Sequence, residues 1–490
     1  MSIPKLFSIL FVLISIQLNA QTIEWGNPQK LKQKNLYNQV IGESGGNVFL
    51  LRGKDQDFRQ ELIIEKYKNT LGLDISIPLP LSVNGSVERV LLLNDEIYVF
   101  ISAKNTVKNQ VDLLVQKLDL NFKIIGNPMV LCSMSEKSFL SKRNIQIKPN
   151  ANKDLIGIMF ISLADDGKGI LNLYQYDLKM QQRFGKQFNL PEEEKGVYTS
   201  AFDLSNSGET FVMIDYPIKD YKGEREDPRK FFLYVYYPTT DKILEYDLLG
   251  KDSFYIDELG MCLNNFNHTI SVTGMYSEKA KVETKGYFIR RYNYYSSNLE
   301  FSYSSLFDEF FLNKLSSARI EKFEPDLNDF YIRKIIPRSD GGLLVIAEKF
   351  FQTRQTYTYY VNNFPQTSTR IVYNFDETAV YSINPDGKIQ FNEVIKKHQS
   401  SVGDGGYFSS IICIPTLDNI QIIFNNEGNE QTDIAMYTVN YKGMSQNKII
   451  VKSANTNAAI IPTEYKQISA NSGIICAIRD KRFTLMRISF

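Results

Sequence analysis

The 490-residue chain has only two histidines and four cysteines, and that scarcity removes whole classes of chemistry. His268 sits in the turn-like "NFNH" and His398 in the polar "IKKHQSS", so a multi-histidine zinc site is excluded. Cys132, Cys262, Cys413 and Cys476 are far apart and form no CxxC pair, which leaves redox and metal chemistry without a motif. In an oxidising compartment one or two disulfides could join them. Cys413 in "IICIP" and Cys476 in "IICAI" nevertheless lie in apolar, strand-like runs, which favours buried thiols. No G-x-S-x-G elbow is present, and neither "ADDGKG" (164–169) nor "GDGG" (403–406) has the ligand spacing of a calcium loop. No catalytic residue, metal ligand or cofactor is therefore expected.

An excess of one charge is also missing. Lys plus Arg number 56 and Asp plus Glu 55, so no global field would recruit nucleic acid or an anionic membrane. Long apolar runs are absent after the N-terminus, where "MSIPKLFSILFVLISIQLNAQ" combines Lys5, an apolar core over residues 6–18 and a small Ala20. This reads as a signal peptide over residues 1–20, cut after Ala20, because the apolar core is short for a membrane span. An uncleaved anchor is the alternative. No transmembrane segment is expected in the mature chain.

What the chain has in quantity is Tyr, Phe, Ile and Val, which suit pleated, half-buried surfaces. Apolar runs recur around the turns "ESGGN" (43–47), "LNDE" (93–96), "NKDL" (152–155), "SNSGE" (205–209), "NFNH" (265–268), "SDGG" (339–342), "LDN" (417–419) and "NSG" (471–473). After each turn comes a very apolar strand such as "IGIMFI" or "LLVIAE", as expected of strands buried on both faces. A second recurring turn places Asp or Asn after an apolar residue, as in "QKLDLNFK", "YQYDLKMQ", "RRYNYYSS", "YSINPDGKI" and "YTVNYKGM", where the side chain can bond nearby backbone. Such units of four antiparallel strands point to an all-β fold, a single β-propeller over residues 21–490 with eight blades. Seven is the count if the divergent unit at 255–307 is not a blade, and stacked sandwiches are the competing architecture. The last unit supplies three strands only, so "TIEWGNPQKL" (22–31) is expected to complete the last blade.

In such a fold the second-to-third connections share one face, and here they are long and charged at 52–61, 216–230, 276–285 and 425–433. The insertion at 352–377, "QTRQTYTYYVNNFPQTSTRIVYNFDE", alternates like a long β-hairpin. Tyr357, Tyr359, Tyr360 and Tyr373, with Arg354 and Arg370, are its candidate partner-binding residues. These rings pack the hairpin's own strands in the plainer reading. A second insertion at about 306–327 has Phe307, Phe310, Phe311, Leu315 and Ile320 at helical spacing and reads as a helix packed on the rim.

The stretch "FYIRKIIPRSDGGLLVIAEKFF", followed by "AVYSINPDGKIQFNEVIKKHQSS", resembles a group of uncharacterised exported β-propeller proteins of Bacteroidetes. The likeness covers residues 330–401 and extends elsewhere only as repeat rhythm; Phe391 stands where that group usually has Trp. It implies a periplasmic protein, or one at the cell surface or secreted, and supplies no activity. It also implies an accessory role in an outer-membrane secretion or gliding assembly of the type 9 kind. No C-terminal sorting domain is expected, since "RFTLMRISF" reads as a blade strand. The function expected is a non-catalytic interaction propeller of the envelope with a protein partner, such as an outer-membrane protein. A glycan-binding or glycan-cleaving propeller is the alternative, because paired carboxylates from different repeats leave no linear motif.

Overall fold

A computed structural model describes residues 21–30, 37–55, 58, 61–135, 145–164, 166–193, 196–217, 229–250, 252, 254–279, 283–315, 327–362 and 364–490. The expected signal peptide lies outside them.

The described residues form eight antiparallel sheets, each built on four strands. Numbered in chain order, they occupy residues 37–78, 86–135, 146–193, 198–247, 255–306, 330–402, 412–451 and 458–489. The divergent unit is a regular sheet of Tyr255–Asn264, Thr269–Ser277, Gly286–Asn293 and Asn298–Leu306. Sheet 8 takes three strands from the C-terminal stretch and its fourth, Thr22–Trp25, from the N-terminal one. That strand pairs antiparallel with Arg482–Ser489, from Thr22 opposite Ser489 to Trp25 opposite Met486.

Burial grades across each sheet. Every residue of the second strand Thr269–Ser277 is buried, whereas the fourth strand Leu73–Pro78 is largely open. The second strands send alternate side chains to opposite neighbours, as a period of two requires. In Thr210–Pro217, Val212 and Ile214 pack with Met159 and Ile161 of sheet 3, while Phe211 and Met213 pack with Ile270 and Val272 of sheet 5. In Asn47–Gly53, Phe49 and Leu51 face Val99 and Ile101 of sheet 2, and Val48 and Leu50 face Ile474 and Cys476 of sheet 8. Eight four-stranded sheets packed in this way are consistent with a β-propeller. All four cysteines are buried and unpaired.

The recurring turns have the chemistry expected of them. Oδ1 of Asp119 accepts from the amides of Asn121 and Lys123, Asp177 from Lys179 and Gln181, and Asn440 from Lys442 and Met444. In "NPDGK" the glycine is required: Gly387 has a φ of 85°, and a Cβ there would lie 2.5 Å from the Tyr303 ring. Among its described residues the rim insertion contains one helical segment, Glu309–Leu315. Phe307, Phe311, Leu312 and Leu315 enter the core between sheets 5 and 6. Phe310, expected on the buried face, is 70% exposed, with Lys314 Nζ 4.5 Å above its ring. Ile320 lies outside the described residues.

Sheets 8 and 1 are also joined by a buried polar chain. The Asn38 amide and Nδ2 donate to Glu464 at 2.9 and 2.8 Å, Arg52 donates to Asn38 Oδ1 at 2.6 Å, and Arg52 pairs with Glu65 at 2.8 Å. Burial pushes the Glu464 carboxyl up to about 7, against hydrogen bonds from Asn38. A carboxyl with a raised folded pKa stabilises fully below its unfolded value, near 4.5, and loses that contribution as pH rises through about 7. We therefore expect Glu464→Gln to gain on the wild type by up to about 3 kcal/mol between pH 5 and pH 8, read by denaturant unfolding. A stability difference independent of pH would refute this. Removing residues 21–26 should lower the thermal midpoint, since it strips the paired edge of Arg482–Ser489; an unchanged midpoint would mean that strand lies outside the cooperative unit.

Candidate interaction surface

The predicted insertion at 352–377 is the continuation of sheet 6 itself. Its second and third strands, Leu343–Val361 and Phe364–Ile383, run far past their neighbours and stay paired from Leu343 opposite Ile383 to Val361 opposite Phe364, with one bulge between Glu348 and Phe350. The first strand of the sheet, Phe330–Pro337, pairs only as far as Lys349. A short strand, Gln399–Val402, covers the other edge over Val372 to Phe375. Beyond these points the hairpin is a two-stranded arm whose outer backbone edges, at 351–361 and 364–370, pair with no strand among the described residues.

Strand alternation divides the six candidate residues between two faces. Tyr357, Tyr359 and Arg370 share one, with Tyr357 and Tyr359 ring centroids 6.0 Å apart and the Arg370 guanidinium 5.5 Å from the Tyr357 ring. Arg370 also donates to Gln355 across the ribbon at 3.0 Å. Phe364, which sequence reasoning did not single out, lies on this face and is 71% exposed. Arg354 and Tyr360 occupy the opposite face, and Tyr360 is 72% exposed. Tyr373 is on that face too, but it sits half-buried at the root, opposite Gln352 and beside the covering strand. The arm's tip therefore presents Tyr357, Tyr359, Tyr360 and Phe364, while Tyr373 belongs to its base.

The root is held by a buried charge cluster. Glu348, fully buried, is the last residue before a β-bulge that separates sheet from arm. Its Oε2 accepts from Arg333 Nε at 2.8 Å and Ser410 Oγ at 2.6 Å, and its Oε1 pairs with Lys397 Nζ at 2.8 Å. Lys397 also donates to Gln399 Oε1 at 3.0 Å and to the Phe375 carbonyl at 3.2 Å. Burial lowers the Lys397 pKa, opposed by Glu348. Ser410 is held at a φ of 86°, its amide donating to Gln399 at 2.8 Å. From Gln399 the chain of bonds passes to the Asn425 carbonyl at 2.6 Å, and Asn425 Nδ2 donates to the Ile460 carbonyl at 2.8 Å. The arm is thus tied through sheet 7 to sheet 8, and at its base Phe350 and Phe375 lie 4.6 Å apart.

The same device recurs on other sheets. Bulges in the first strands displace Glu88, Ser200, Asp257 and Arg333. Each then meets a polar residue of the adjoining second strand: Glu88 with Ser102, Ser200 with Asp215 at 2.8 Å, Asp257 with Ser277 at 3.1 Å, and Arg333 with Glu348. Those partners lie where the second strands run out toward the second-to-third connections, so that face rests on a row of satisfied polar contacts. No linear motif marks them, because each pair joins residues well apart in sequence. No group of three or more His, Cys, Asp or Glu that could hold a metal occurs among the described residues. In the "GDGG" turn, Asp404 Oδ1 accepts from Ser401 Oγ at 2.6 Å and the Gly406 amide at 2.9 Å, so it serves the turn.

Neither a family model nor a curated protein sequence matches the chain. Among solved structures, similar folds include Sqt1 from Chaetomium thermophilum (TM-score 0.44, 7% identity, 95% of this chain and 98% of that one). The WD40 domain of SCAP from fission yeast (0.40, 7%, 96% and 98%) and the β-propeller domain of the Trilobed protease from Pyrococcus furiosus (0.36, 11%, 84% and 95%) are also similar. Identities this low carry no residue-level correspondence. No helix among the described residues is long and apolar enough to cross a membrane.

Removing one member of a buried ion pair leaves the other uncompensated. Lys397→Met should therefore destabilise the protein by about 3–5 kcal/mol in denaturant titration, and Glu348→Gln by a comparable amount. Costs below about 1 kcal/mol would show that the root is not held by this pair.

Proposed function

We propose that this protein is a non-catalytic interaction propeller of the cell envelope, its eight sheets closed into a ring by the N-terminal strand, and that it engages a protein partner through the arm of sheet 6. The observation carrying this reading is the arm: a β-ribbon extending past its sheet, rooted on buried charge and tipped with exposed Tyr357, Tyr359, Tyr360 and Phe364. Aromatic side chains supply contact area at small entropic cost, which is why they dominate recognition surfaces. The bare edges of the ribbon add a second mode, since an extended segment of a partner can pair with them by strand addition. A long uncovered edge with apolar tips is otherwise an aggregation hazard, and a permanent partner removes that hazard. Residence in the periplasm and membership of an outer-membrane secretion or gliding assembly follow from the signal peptide expected over residues 1–20 and the resemblance of residues 330–401, and form part of this proposal.

The test is recovery of partners from detergent-solubilised envelopes with the tagged chain, followed by mass spectrometry. Residues 355–370 are the part to remove, because Arg354 and Ile371 face each other in register and can be rejoined by an Asn-Gly turn. Val372 to Phe375 should stay, since they pair with Gln399–Val402. The shortened protein should keep its thermal midpoint and lose its stoichiometric partner. Equal recovery by the two forms would overturn the arm's role.

A further inference from the structure

We infer that the cleft where the first strands of sheets 8, 1 and 2 converge is a binding site for a small molecule carrying an oxyanion, seated on the guanidinium of Arg89. The cleft has a volume of about 500 Å³ and is walled by parts of Tyr37–Ser44, Ser86–Leu93 and Ala458–Ser469. Arg89 and Lys466 are its cations.

Arg89 makes no ion pair or hydrogen bond among the described residues, although protein surrounds it enough to lower its pKa through loss of hydration. A guanidinium so placed offers a planar fork of donors that matches a carboxylate or phosphate, and in proteins it is normally matched. Lys466 stands beside it. Burial, with the charges of Lys153 and Arg89, lowers that ammonium to about 8, and its Nζ donates to the Ile41 carbonyl. Both side chains remain open to solvent, as groups lining a cleft do.

The two carboxylates of the cleft are already engaged. The bulge at Glu88 places its carboxylate against the Ser102 hydroxyl, which donates to it. Both oxygens of Glu464 accept from Asn38, and burial keeps that group partly protonated near neutral pH. Two cations thus face an opening with neither carboxylate committed to them. The strand positions matter as well: the bulge that commits Glu88 to Ser102 falls immediately before Arg89, so one backbone irregularity accounts for both.

The experiment is calorimetric titration of the full chain with inorganic phosphate and, separately, with D-glucuronate, which distinguishes a phosphate from a carboxylate ligand. At least one should saturate with a dissociation constant of about 1 mM or tighter. Arg89→Gln should weaken it by about tenfold or more, Arg89→Lys by less because charge survives without the fork, and Lys442→Gln, at an exposed position elsewhere, not at all. Near-UV circular dichroism checks that the variants are folded, and the two Arg89 substitutions give independent readings. No saturation by either probe up to about 10 mM, or undiminished binding by Arg89→Gln, would overturn the site.

Discussion

The second strand of each sheet, buried on both faces where it runs between neighbouring sheets, is the constraint from which the remaining architecture follows. A strand such as Thr269–Ser277, with no exposed residue, has no stable existence in an isolated sheet, since each of its faces needs a neighbour. Sheet 4 is complete only between sheets 3 and 5, and sheet 1 only between sheets 8 and 2. Every sheet thereby depends on the next. The N-terminal strand on Arg482–Ser489 extends the same logic to hydrogen bonds, because it covers an edge that would otherwise stand open.

Strands buried on both faces must still emerge into loops, and the transition is where polar groups become expensive. The protein meets this by placing Ser102, Asp215, Ser277 and Glu348 near the exits and bulging the adjacent first strands to supply partners. Sheet 6 has the strongest version, with two cations and a hydroxyl around one carboxylate. That is also the sheet whose strands continue as the arm. A projecting lever transmits force to its base, and charge-assisted bonds of fixed geometry hold such a base more rigidly than apolar contacts do.

Much of this was legible in the sequence because it is local. The turns with Gly, Asn and Asp and the apolar runs after them appear where the pattern places them, and the orphan strand expected over 22–31 is found over Thr22–Trp25. The arm was legible as a hairpin, but alternation over so long a ribbon splits Tyr357 and Tyr359 from Tyr360, which a list of tyrosines does not convey. Phe310 shows the limit of periodicity in a helix of only seven residues: Leu312, not Phe310, fills the inward position. The bulge pairs and the Arg52, Asn38 and Glu464 chain were invisible, as they join residues between 13 and 426 positions apart.

The arm and the cleft make different physical demands, and the fold separates them. The arm needs exposed aromatic area and backbone edges, which only an extension beyond the sheets can provide. The cleft needs charges partly withdrawn from water, which only converging first strands can provide. Both draw on the same irregularity, the first-strand bulge: in sheet 6 it turns Arg333 onto Glu348 and fastens the arm, and in sheet 2 it commits Glu88 to Ser102 and leaves the neighbouring Arg89 without a counter-ion among the described residues. A repeated scaffold gains local differences most cheaply where its repeat is already broken, and the bulge is such a place because its extra residue has no ladder partner to preserve.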